Sequence, residues 1–600
     1  MEQQKIGKRS EADPKYTWAT EDLFVSDDAW LEELDRCGEL VGRIAAYKGR
    51  LGESAQTLLG WFKLMDEADL KLGRLGSYAH LKADEDSAVS KYQDFRGKMM
   101  GLMVKVSSAA AFEEPEILNI SEETLEQFMA AEPGLKEYER SLYKIRRMKA
   151  HVLTEAEERI MAAAASVCQS PDLIGSTFRN ADLKYPNVKD SEGKEYVLTA
   201  GSYISLCQSP DRVLRKNAFE TLYATFYQYR NTVASILNAQ VKQLIFQANM
   251  RKYNSTLEAA LYRNEVPVSV YHNLLKAVHD NMGYLHRYMS LRQKIMGVDK
   301  LHMYDVYTPM VTSCDQKISF EEAKENVLEG LAVLGEDYLD VLRDGFSNRW
   351  IDVYENEGKR SGAYSSGARP HPYVLLNHKD TLDSQFTLAH EMGHALHSYF
   401  SKKTQPVSQS NYVIFVAEVA STCNEVLLMK HLLSKTEDRE EKAYLLNYFL
   451  EQFRTTLYRQ AMFAEFEMMM NAKAEAGESL TADLLSDMYY KLNKEYYGEE
   501  MVVDQDIAIE WARIPHLFYN FYVFQYATGF SAAVALANKI LTEGESAVKN
   551  YRRFLTLGGS QDPISLLKIA GVDMTTAQPV TEALHLFGEL LDEMEQLMIK

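Results

Sequence analysis

QFTLAHEMGHALHSYF, residues 385–400, carries two histidines four positions apart, His390 and His394. On an α-helix, side chains at this spacing lie on one face, with Cβ atoms roughly 5–6 Å apart. If the stretch is helical, both imidazoles can therefore bind one metal ion. Glu391 lies part of a turn round the helix, where it can contact a water molecule on that ion rather than the ion itself.

The spacing of these three residues is the H-E-x-x-H motif of zinc-dependent peptidases, and it predicts hydrolysis of peptide bonds with the help of a metal ion. The competing interpretation is an amphipathic helix whose histidines are ordinary polar residues. A third protein ligand would distinguish a metal site from an ordinary amphipathic helix, because a catalytic zinc ion has three protein ligands and one open position. In metzincins a glycine and then a third ligating histidine follow the motif, but here the corresponding positions hold His397 and Phe400.

The stretch NYVIFVAEVASTCNEVLLMKHLL, residues 411–433, is a second helix-like apolar run, and it contains two acidic residues, Glu418 and Glu425. A carboxylate on an apolar face is costly unless it is paired or bound to a metal. Glu418 is the better candidate for the third ligand because it lies centrally in the run. Glu425, two turns later, is a candidate for orienting a ligating histidine. The alternative is that both are surface residues.

HEMGH followed by Glu418, 24 residues after His394, resembles the M3 family of zinc metallopeptidases, and most closely its oligoendopeptidase F branch. Further stretches resemble the same branch over nearly the whole chain: YTWATEDLF (16–24), YNSTLEAALYRNEVP (253–267), RSGAYSSGARPHPYVLLN (360–377), IPHLFYNFYVFQYATGF (514–530) and LGGSQDPISLLKIAGVDM (557–574). The resemblance implies one Zn²⁺ ion bound by His390, His394 and Glu418, with Glu391 as the catalytic acid and base.

Helical patterns dominate the sequence, and 600 residues exceed the usual limit of about 250–300 for a single core. We predict a predominantly α-helical fold, and the family resemblance implies a two-lobed peptidase that encloses a substrate channel. Asp190 to Gly193 is predicted to form a hairpin turn between two short strands. The predicted domains are an N-terminal helical domain, residues 1–205, which ends in this hairpin, and a catalytic domain, residues 206–600.

Residues 350–378 differ from the helical sequence around them, with five glycines or prolines and an alternating β-like run from Pro372 to Leu376. A small β-region just before a metal-binding helix can pair with the main chain of a peptide and bind it with little dependence on sequence. The resemblance implies that Gly362, Ala363 and Tyr364 contact the substrate in this way. An ordinary structural hairpin is the alternative.

The run HLFYNFYVFQYATG, residues 516–529, is the candidate source of further catalytic groups. Members of the family use a histidine and tyrosines from this region on the substrate and transition state, which implies a role for His516. Tyr519, Tyr522 and Tyr526 recur at helical steps, so their hydroxyls are predicted to share one helix face. The choice among them stays open, because the tyrosines of the family align without a gap on other residues, namely Phe521, Gln525 and Thr528. A packed aromatic core is the alternative.

The net charge of −20 argues against nucleic acid or an anionic membrane as a partner. The N-terminus lacks the apolar segment of a secretory signal, and no run of 18 apolar residues predicts a membrane span. The five cysteines are odd in number and lack C-x-x-C spacing: Cys37, Cys168, Cys207, Cys314 and Cys423. This usage disfavours disulfides and fits the reducing cytoplasm. The sequence leaves the oligomeric state open.

The sequence thus predicts an endopeptidase that hydrolyses short, unstructured oligopeptides. A helical zinc carboxypeptidase is one alternative, and it would need a cationic clamp for the terminal carboxylate, for which Arg369 and Arg513 are candidates. A non-catalytic, metal-stabilised peptide-binding protein is the alternative from another class. The intact Glu391 argues against it, because a structural metal site needs no base and fills its fourth position with protein.

Overall fold

The computed structural model of the chain describes residues 6–311 and 317–599, and most of them are helical, as predicted. Their contacts divide them into two compact units. The first comprises residues 6–150, 317–431 and 536–571, and the second comprises residues 151–311, 432–535 and 572–599. Each unit is built from three separate stretches of chain. The predicted domains, residues 1–205 and 206–600, are each one continuous stretch, so they do not correspond to these units. That division into domains stays a prediction.

The helices of the first half of the chain are α1 (Asp27–Cys37), α2 (Glu39–Ala45), α3 (Ala55–Glu85), α4 (Ser90–Ala110), α5 (Glu113–Asn119), α6 (Glu122–Ala131), α7 (Glu139–Arg147), α8 (Glu155–Cys168), α9 (Ser170–Thr177), α10 (Tyr203–Cys207), α11 (Arg212–Gln228), α12 (Arg230–Met250), α13 (Thr256–Tyr262), α14 (Val268–Asp280) and α15 (Met282–Met296). Those of the second half are α16 (Phe320–Gly330), α17 (Glu336–Ser347), α18 (Leu382–Thr404), α19 (Ile414–Lys435), α20 (Arg439–Gln452), α21 (Arg459–Glu475), α22 (Ala482–Tyr497), α23 (Phe524–Glu543), α24 (Glu545–Leu555), α25 (Pro563–Ala570) and α26 (Gln578–Met598).

The strands are short: β1 (Val188–Lys189), β2 (Glu195–Tyr196), β3 (Leu301–His302), β4 (Ile351–Asp352), β5 (Tyr364–Ser366), β6 (Tyr373–Leu375) and β7 (Met501–Val502). β1 and β2 pair antiparallel, which confirms the predicted hairpin. β3 pairs in parallel with β7. In the remaining sheet, β6 lies in the centre, parallel to β4 and antiparallel to β5. This sheet immediately precedes α18, so the small β-region predicted before the motif helix is confirmed.

Hydroxyl groups cap the helices at the positions where the sequence pattern becomes helical. The side chain of Ser26 accepts the N–H of Ala29 at the start of α1. Thr381 caps α18 in the same way by accepting the N–H of Ser384. Such caps satisfy backbone donors that have no partner within the helix, and each contributes about 1 kcal/mol.

The core of the first unit is rich in aromatic residues. Trp30 is fully buried, stacks on Phe95 with ring centroids 4.1 Å apart, and donates its indole N–H to the carbonyl oxygen of Leu75. Tyr373 and Leu375 of β6 belong to the same buried cluster. The small sheet is therefore packed into the helical body of the first unit, which gives the chain just before α18 a fixed position within that unit.

Buried ion pairs are prominent in the second unit. Arg292 and Arg454 are both fully buried, and both pair with Glu451, at 3.0 and 2.7 Å. Burying an arginine is tolerated only when such a partner compensates for the lost hydration. We therefore expect removal of Glu451 to be strongly destabilising, because it would leave two charges buried without a partner.

No helix within the described ranges is both long enough and apolar enough to cross a lipid bilayer. The four cysteines in those ranges, Cys37, Cys168, Cys207 and Cys423, are free thiols. The fifth, Cys314, lies outside the described residues.

Candidate functional site

The stretch with the H-E-x-x-H motif lies within α18, so its predicted helical conformation is confirmed. The rings of His390 and His394 lie on the same face, with centroids 4.8 Å apart and planes at 83°. Glu391 is buried at 7% exposure, and its Oε2 atom has no hydrogen-bond partner in the part of the chain that the structure describes. The two imidazoles can therefore share an ion while the carboxylate beside them stays available to another group.

Glu418 lies on α19 and points at both histidines. Its Oε2 atom is 3.4 Å from Nε2 of His390 and 3.5 Å from Nε2 of His394. One ligand atom from each of the three residues lies within 4.8 Å of the others. Atoms bound to a tetrahedral zinc ion at about 2.0–2.1 Å are roughly 3.3–3.4 Å apart. Two nitrogens and one carboxylate oxygen at these separations could hold a divalent metal ion.

A close contact between α18 and α19 brings Glu418 within reach of the histidines. A Cβ atom built on Gly393 would lie 2.6 Å from Cα of Ser421, 2.9 Å from its amide nitrogen and 2.8 Å from the carbonyl oxygen of Ala420. All three are backbone atoms, which cannot rotate away as a side chain can. Only glycine at position 393 permits the observed distance between the two helices.

Hydrogen bonds also join the two helices. Asn424 of α19 donates from Nδ2 to the carbonyl oxygen of Ala389 in α18, at 3.1 Å, and accepts the hydroxyl of Tyr338 at 3.0 Å. Tyr338 and Asn424 are buried, so these bonds form where water cannot replace them. These two bonds therefore help to fix the register of α18 and α19.

Glu425 lies 2.5 Å from Nδ1 of His390. A carboxylate on one ring nitrogen fixes the orientation of the imidazole and directs the other nitrogen, here Nε2, towards Glu418. The sequence predicted that Glu425 orients a ligating histidine, and this contact has the geometry such a role requires. The role itself stays a prediction.

The charges in this cluster shift the ionisation of its members. Burial lowers the pKa of His390, but hydrogen bonds to Glu418 and Glu425 outweigh burial and raise that pKa well above its usual value. For Glu418 burial raises the pKa, yet its bonds to His390 and His394 hold it far below the ordinary value. The Glu391 carboxyl has a raised pKa, chiefly because it is buried. A raised pKa suits a carboxylate that must both accept and release a proton.

His397, one turn after His394, does not belong to the cluster. Its ring is buried and stacks on Tyr412, with centroids 3.8 Å apart and planes at 4°. Burial lowers the pKa of His397 to about 3, so the ring is neutral near neutral pH. This packing agrees with the sequence argument that His397 is not the third ligand.

The segment from Gly362 to Tyr364 leads into β5, an edge strand of the three-stranded sheet. Asn377 donates to the carbonyl oxygen of Gly362 at 2.8 Å, and the hydroxyl of Tyr364 donates to Asp84 at 2.9 Å. Ala363 is half-buried. These bonds hold the segment in place. The outer edge of β5 pairs with no other strand in the described part of the chain, and contact of this segment with a substrate stays a prediction.

The prediction that three tyrosines share one helix face is wrong. Helix α23 begins at Phe524, so Tyr519 and Tyr522 precede it and only Tyr526 is helical. Asn520 and Phe521 have φ values of 53° and 54°, a left-handed conformation that interrupts any helix. The four predicted aromatic residues are nevertheless neighbours. His516 lies 5.6 Å from Tyr519 and 5.9 Å from Tyr526, and Tyr522 lies 5.4 Å from Tyr526, between ring centroids.

Glu467 is a residue that the sequence argument overlooked. It is 1% exposed, and its Oε1 atom accepts the backbone N–H of Phe521 at 2.7 Å. Burial raises the pKa of Glu467 to about 8. This bond helps to hold the left-handed turn that carries the aromatic cluster. The available signal was the pair of acids, Glu465 and Glu467, within the otherwise apolar run MFAEFEMMM, residues 462–470.

The histidines and acids of α18 and α19 lie in the first unit, and the aromatic cluster around His516 lies in the second. Within the first unit, the structure brings together the three predicted metal ligands, the predicted base Glu391 and the predicted orienting residue Glu425. Within the second, it brings together His516 and the three tyrosines.

Two family profiles match the chain: Peptidase family M3 over residues 205–586, and Oligopeptidase F over residues 116–185. The chain is 47% identical to Oligopeptidase PepF of Bacillus subtilis over 597 residues, which cover 99% of this chain and 89% of that protein. It is 40% identical to an Oligoendopeptidase F homolog of Lactococcus lactis, covering 99% of both chains.

Solved structures agree with these matches. The oligoendopeptidase-F of Enterococcus faecium superposes with a TM-score of 0.75 at 37% identity, covering 96% of this chain and 99% of that chain. A crystal structure from Chlamydophila abortus superposes with a TM-score of 0.92 at 36% identity, covering 99% of this chain and all of that chain (100%). The chain therefore belongs to peptidase family M3 and is a metalloendopeptidase of the oligoendopeptidase F group.

Proposed function

We propose that the protein hydrolyses peptide bonds in short, unstructured oligopeptides, with one Zn²⁺ ion held by His390, His394 and Glu418 and with Glu391 as general base and acid. The observation that carries this proposal is the convergence of three ligand atoms from two helices beside a buried carboxylate that has no other partner among the described residues. Two imidazoles and one carboxylate are a donor set that suits a catalytic zinc ion.

When bound, zinc lowers the pKa of water and polarises a carbonyl group. Glu391 accepts the proton of the water that attacks the scissile carbonyl carbon, and then delivers that proton to the leaving amine nitrogen. Its burial supports this role, because a carboxylate with a raised pKa is a stronger base and accepts the proton of water more readily than an exposed one. Glu425 keeps His390 in the orientation that the ligand role requires.

Two further sets of residues complete the proposal. Gly362, Ala363 and Tyr364 bind the main chain of the peptide along the open edge of β5. His516, with Tyr519, Tyr522 or Tyr526, donates hydrogen bonds to the oxyanion that forms on the attacked carbonyl, a contribution of roughly 3–4 kcal/mol for one preorganised donor. Burial lowers the pKa of His516, so near neutral pH the imidazole is neutral and has one N–H to donate.

Two variants test the assigned roles, with exposed Glu440 mutated to Gln as the matched control. Glu391→Gln should keep full zinc content but lose peptide cleavage, because the amide cannot accept the proton. Glu418→Ala should instead lower the zinc content measured by inductively coupled plasma mass spectrometry. Cleavage by Glu391→Gln near the wild-type rate would refute the acid–base role, and full zinc occupancy in Glu418→Ala would assign the third ligand to another acid.

Mass spectrometry of the products from a peptide blocked at both ends separates internal cleavage from removal of terminal residues. We expect internal cleavage that a chelator abolishes while the circular dichroism spectrum is kept. Release of single C-terminal residues from unblocked peptides alone would favour a carboxypeptidase. Unfolding on chelation would favour a structural ion. The cytoplasmic location and the absence of a nucleic-acid partner stay predictions.

A further inference from the structure

A cavity of about 330 Å³ lies within the first unit, one helical turn beyond the histidine pair. Helix α3, the chain that follows β5, the later part of α18 and the loop before α19 form its walls. Polar groups line much of it, among them Ser398 of α18, Ser366 of β5 and Tyr412. A polar cavity of this size is large enough for a small ligand group and is not explained by the proposed metal site.

Basic side chains predominate in this cavity. Arg74, Arg369 and Lys402 line it, against a single carboxylate, that of Asp69. In the described residues no acid lies within 4.0 Å of the Arg369 or Lys402 head groups, and Nη2 of Arg369 is buried without a hydrogen-bond partner. Burial lowers the pKa of Lys402, the charge of Arg369 lowers it further, and the charge of Asp69 partly offsets this by raising it. Asp69 is the one carboxylate in the lining, and it forms no close ion pair with either cation among the described residues, so the two neighbouring cations make a favourable environment for an anion.

The backbone leaves room for these cations to approach one another. A Cβ atom on Gly367 would lie 2.8 Å from Oγ of Ser398 and 3.4 Å from Nζ of Lys402. Glycine at this position lets the chain after β5 pass close to α18. The Lys402 ammonium therefore lies near the backbone at Gly367, two residues before Arg369. The cavity is thus built by α18 and by the continuation of the strand proposed to bind peptide.

The distance from the histidine pair to the cavity can be compared with the length of a bound peptide. Ser398 follows His394 by one helical turn, a rise of about 6 Å along α18. An extended peptide advances about 3.3 Å per residue, so this rise corresponds to roughly two residues. A carboxylate about two residues from the scissile bond would therefore reach the cavity. This step rests on the proposed function, because it places the scissile bond at the histidine pair.

We infer that the cavity lined by Arg369 and Lys402 is a subsite for a carboxylate group of the bound peptide. Two parts of a peptide can supply this group, the C-terminal carboxylate and an aspartate or glutamate side chain. Serine and tyrosine hydroxyls in the lining supply neutral donors beside the two cations. The subsite would make the enzyme favour peptides that carry a negative charge at a fixed distance from the cleaved bond.

The test uses quenched fluorescent peptides in matched pairs that differ only in charge. One pair ends two residues after the cleaved bond in a free carboxylate or an amide, and another carries Asp or Asn at that position in a longer, amidated peptide. We expect the charged member of at least one pair to have a KM roughly tenfold lower with the wild-type enzyme. The pair that shows the difference identifies the source of the carboxylate. Equal KM values within both pairs would overturn the inference.

The variants Arg369→Gln and Lys402→Gln should abolish the preference for the charged peptide. Lys402→Arg, which keeps the positive charge, should retain it. Lys403→Gln is the matched control, because Lys403 is the exposed neighbour on the same helix. Melting temperatures identify any variant that fails to fold. A preference that survives in folded Arg369→Gln and Lys402→Gln would overturn the inference.

Equilibrium binding of the same peptides to Glu391→Gln, measured by fluorescence anisotropy, separates this inference from the catalytic proposal. If Glu391→Gln binds the charged peptide more tightly than its neutral partner, the subsite is supported even where the acid–base role fails. If it binds both equally, the subsite is refuted even where the acid–base role holds.

Discussion

Replacement of Gly393 by alanine tests whether the close contact of α18 with α19 sets the metal site. The added methyl group would lie 2.6–2.9 Å from three backbone atoms of α19, whereas an ordinary contact is 3.4–4 Å. The helices must therefore separate by roughly 1 Å. Overpacking of this kind costs about 1–3 kcal/mol of stability. The same displacement would carry Glu418 away from the histidines, which now lie 3.4 and 3.5 Å from its Oε2 atom.

We expect Gly393→Ala to bind zinc roughly 10- to 100-fold more weakly, in a competition titration with a chromophoric chelator, and to melt several degrees below wild type. The matched control is Gly97→Ala in α4, where nothing lies within 4 Å of the added Cβ. That variant should be as stable as wild type or slightly more so, because alanine favours helix more than glycine does. Wild-type zinc affinity in Gly393→Ala would refute the argument that helix contact positions the third ligand.

Three further outcomes follow from contacts in the structure. Glu425→Gln, which removes the carboxylate from His390, should weaken zinc binding by roughly 10- to 100-fold in the same titration, and unchanged affinity would contradict the orienting role. Glu467, whose pKa burial raises to about 8, keeps a proton in the folded chain that the unfolded chain releases above about pH 4.5, so stability falls as pH rises through that window. Glu467→Gln should therefore melt higher than wild type at pH 8.5 and at a similar temperature at pH 4.5, and equal melting temperatures at both would contradict the argument. Tyr338→Phe, which leaves Asn424 without a donor, should cost about 1–2 kcal/mol in denaturant unfolding, and no measurable change would show that the buried bond contributes nothing.

Local patterns were sufficient to predict which residues the structure brings together as a candidate metal site. The four-residue spacing of His390 and His394 needs only a helix, and the chain forms one there. Glu418 and Glu425 stood out because acids are rare in so apolar a run, and both approach the histidines. The β-region before α18 was evident from its glycines, prolines and alternating pattern. The histidine spacing, the acids in the apolar run and the glycines and prolines before α18 are each local features of the sequence.

The parts that the sequence did not predict depend on long-range contacts. Tyr519 and Tyr522 are spaced as on a helix, but Asn520 and Phe521 adopt left-handed conformations, and a bond to Glu467, 54 residues before Phe521, helps to hold them. Spacing alone contains no information about that bond. The basic cavity is similar, because Arg74, Arg369 and Lys402 become neighbours only after three distant segments have packed together.

The two ligand helices are joined by Gly393 packing on Ser421 and by the bond from Asn424 to Ala389, neither of which involves an ion. In a zinc finger the metal drives folding, so the binding site forms only when the ion binds. Here these two contacts hold α18 and α19 together through protein atoms, so we expect a chelator to remove a bound ion without unfolding the chain. The metal ion bound in a living cell would then depend on the supply of manganese, cobalt and zinc and on their relative affinities. It would not depend on which ion was present when the chain folded.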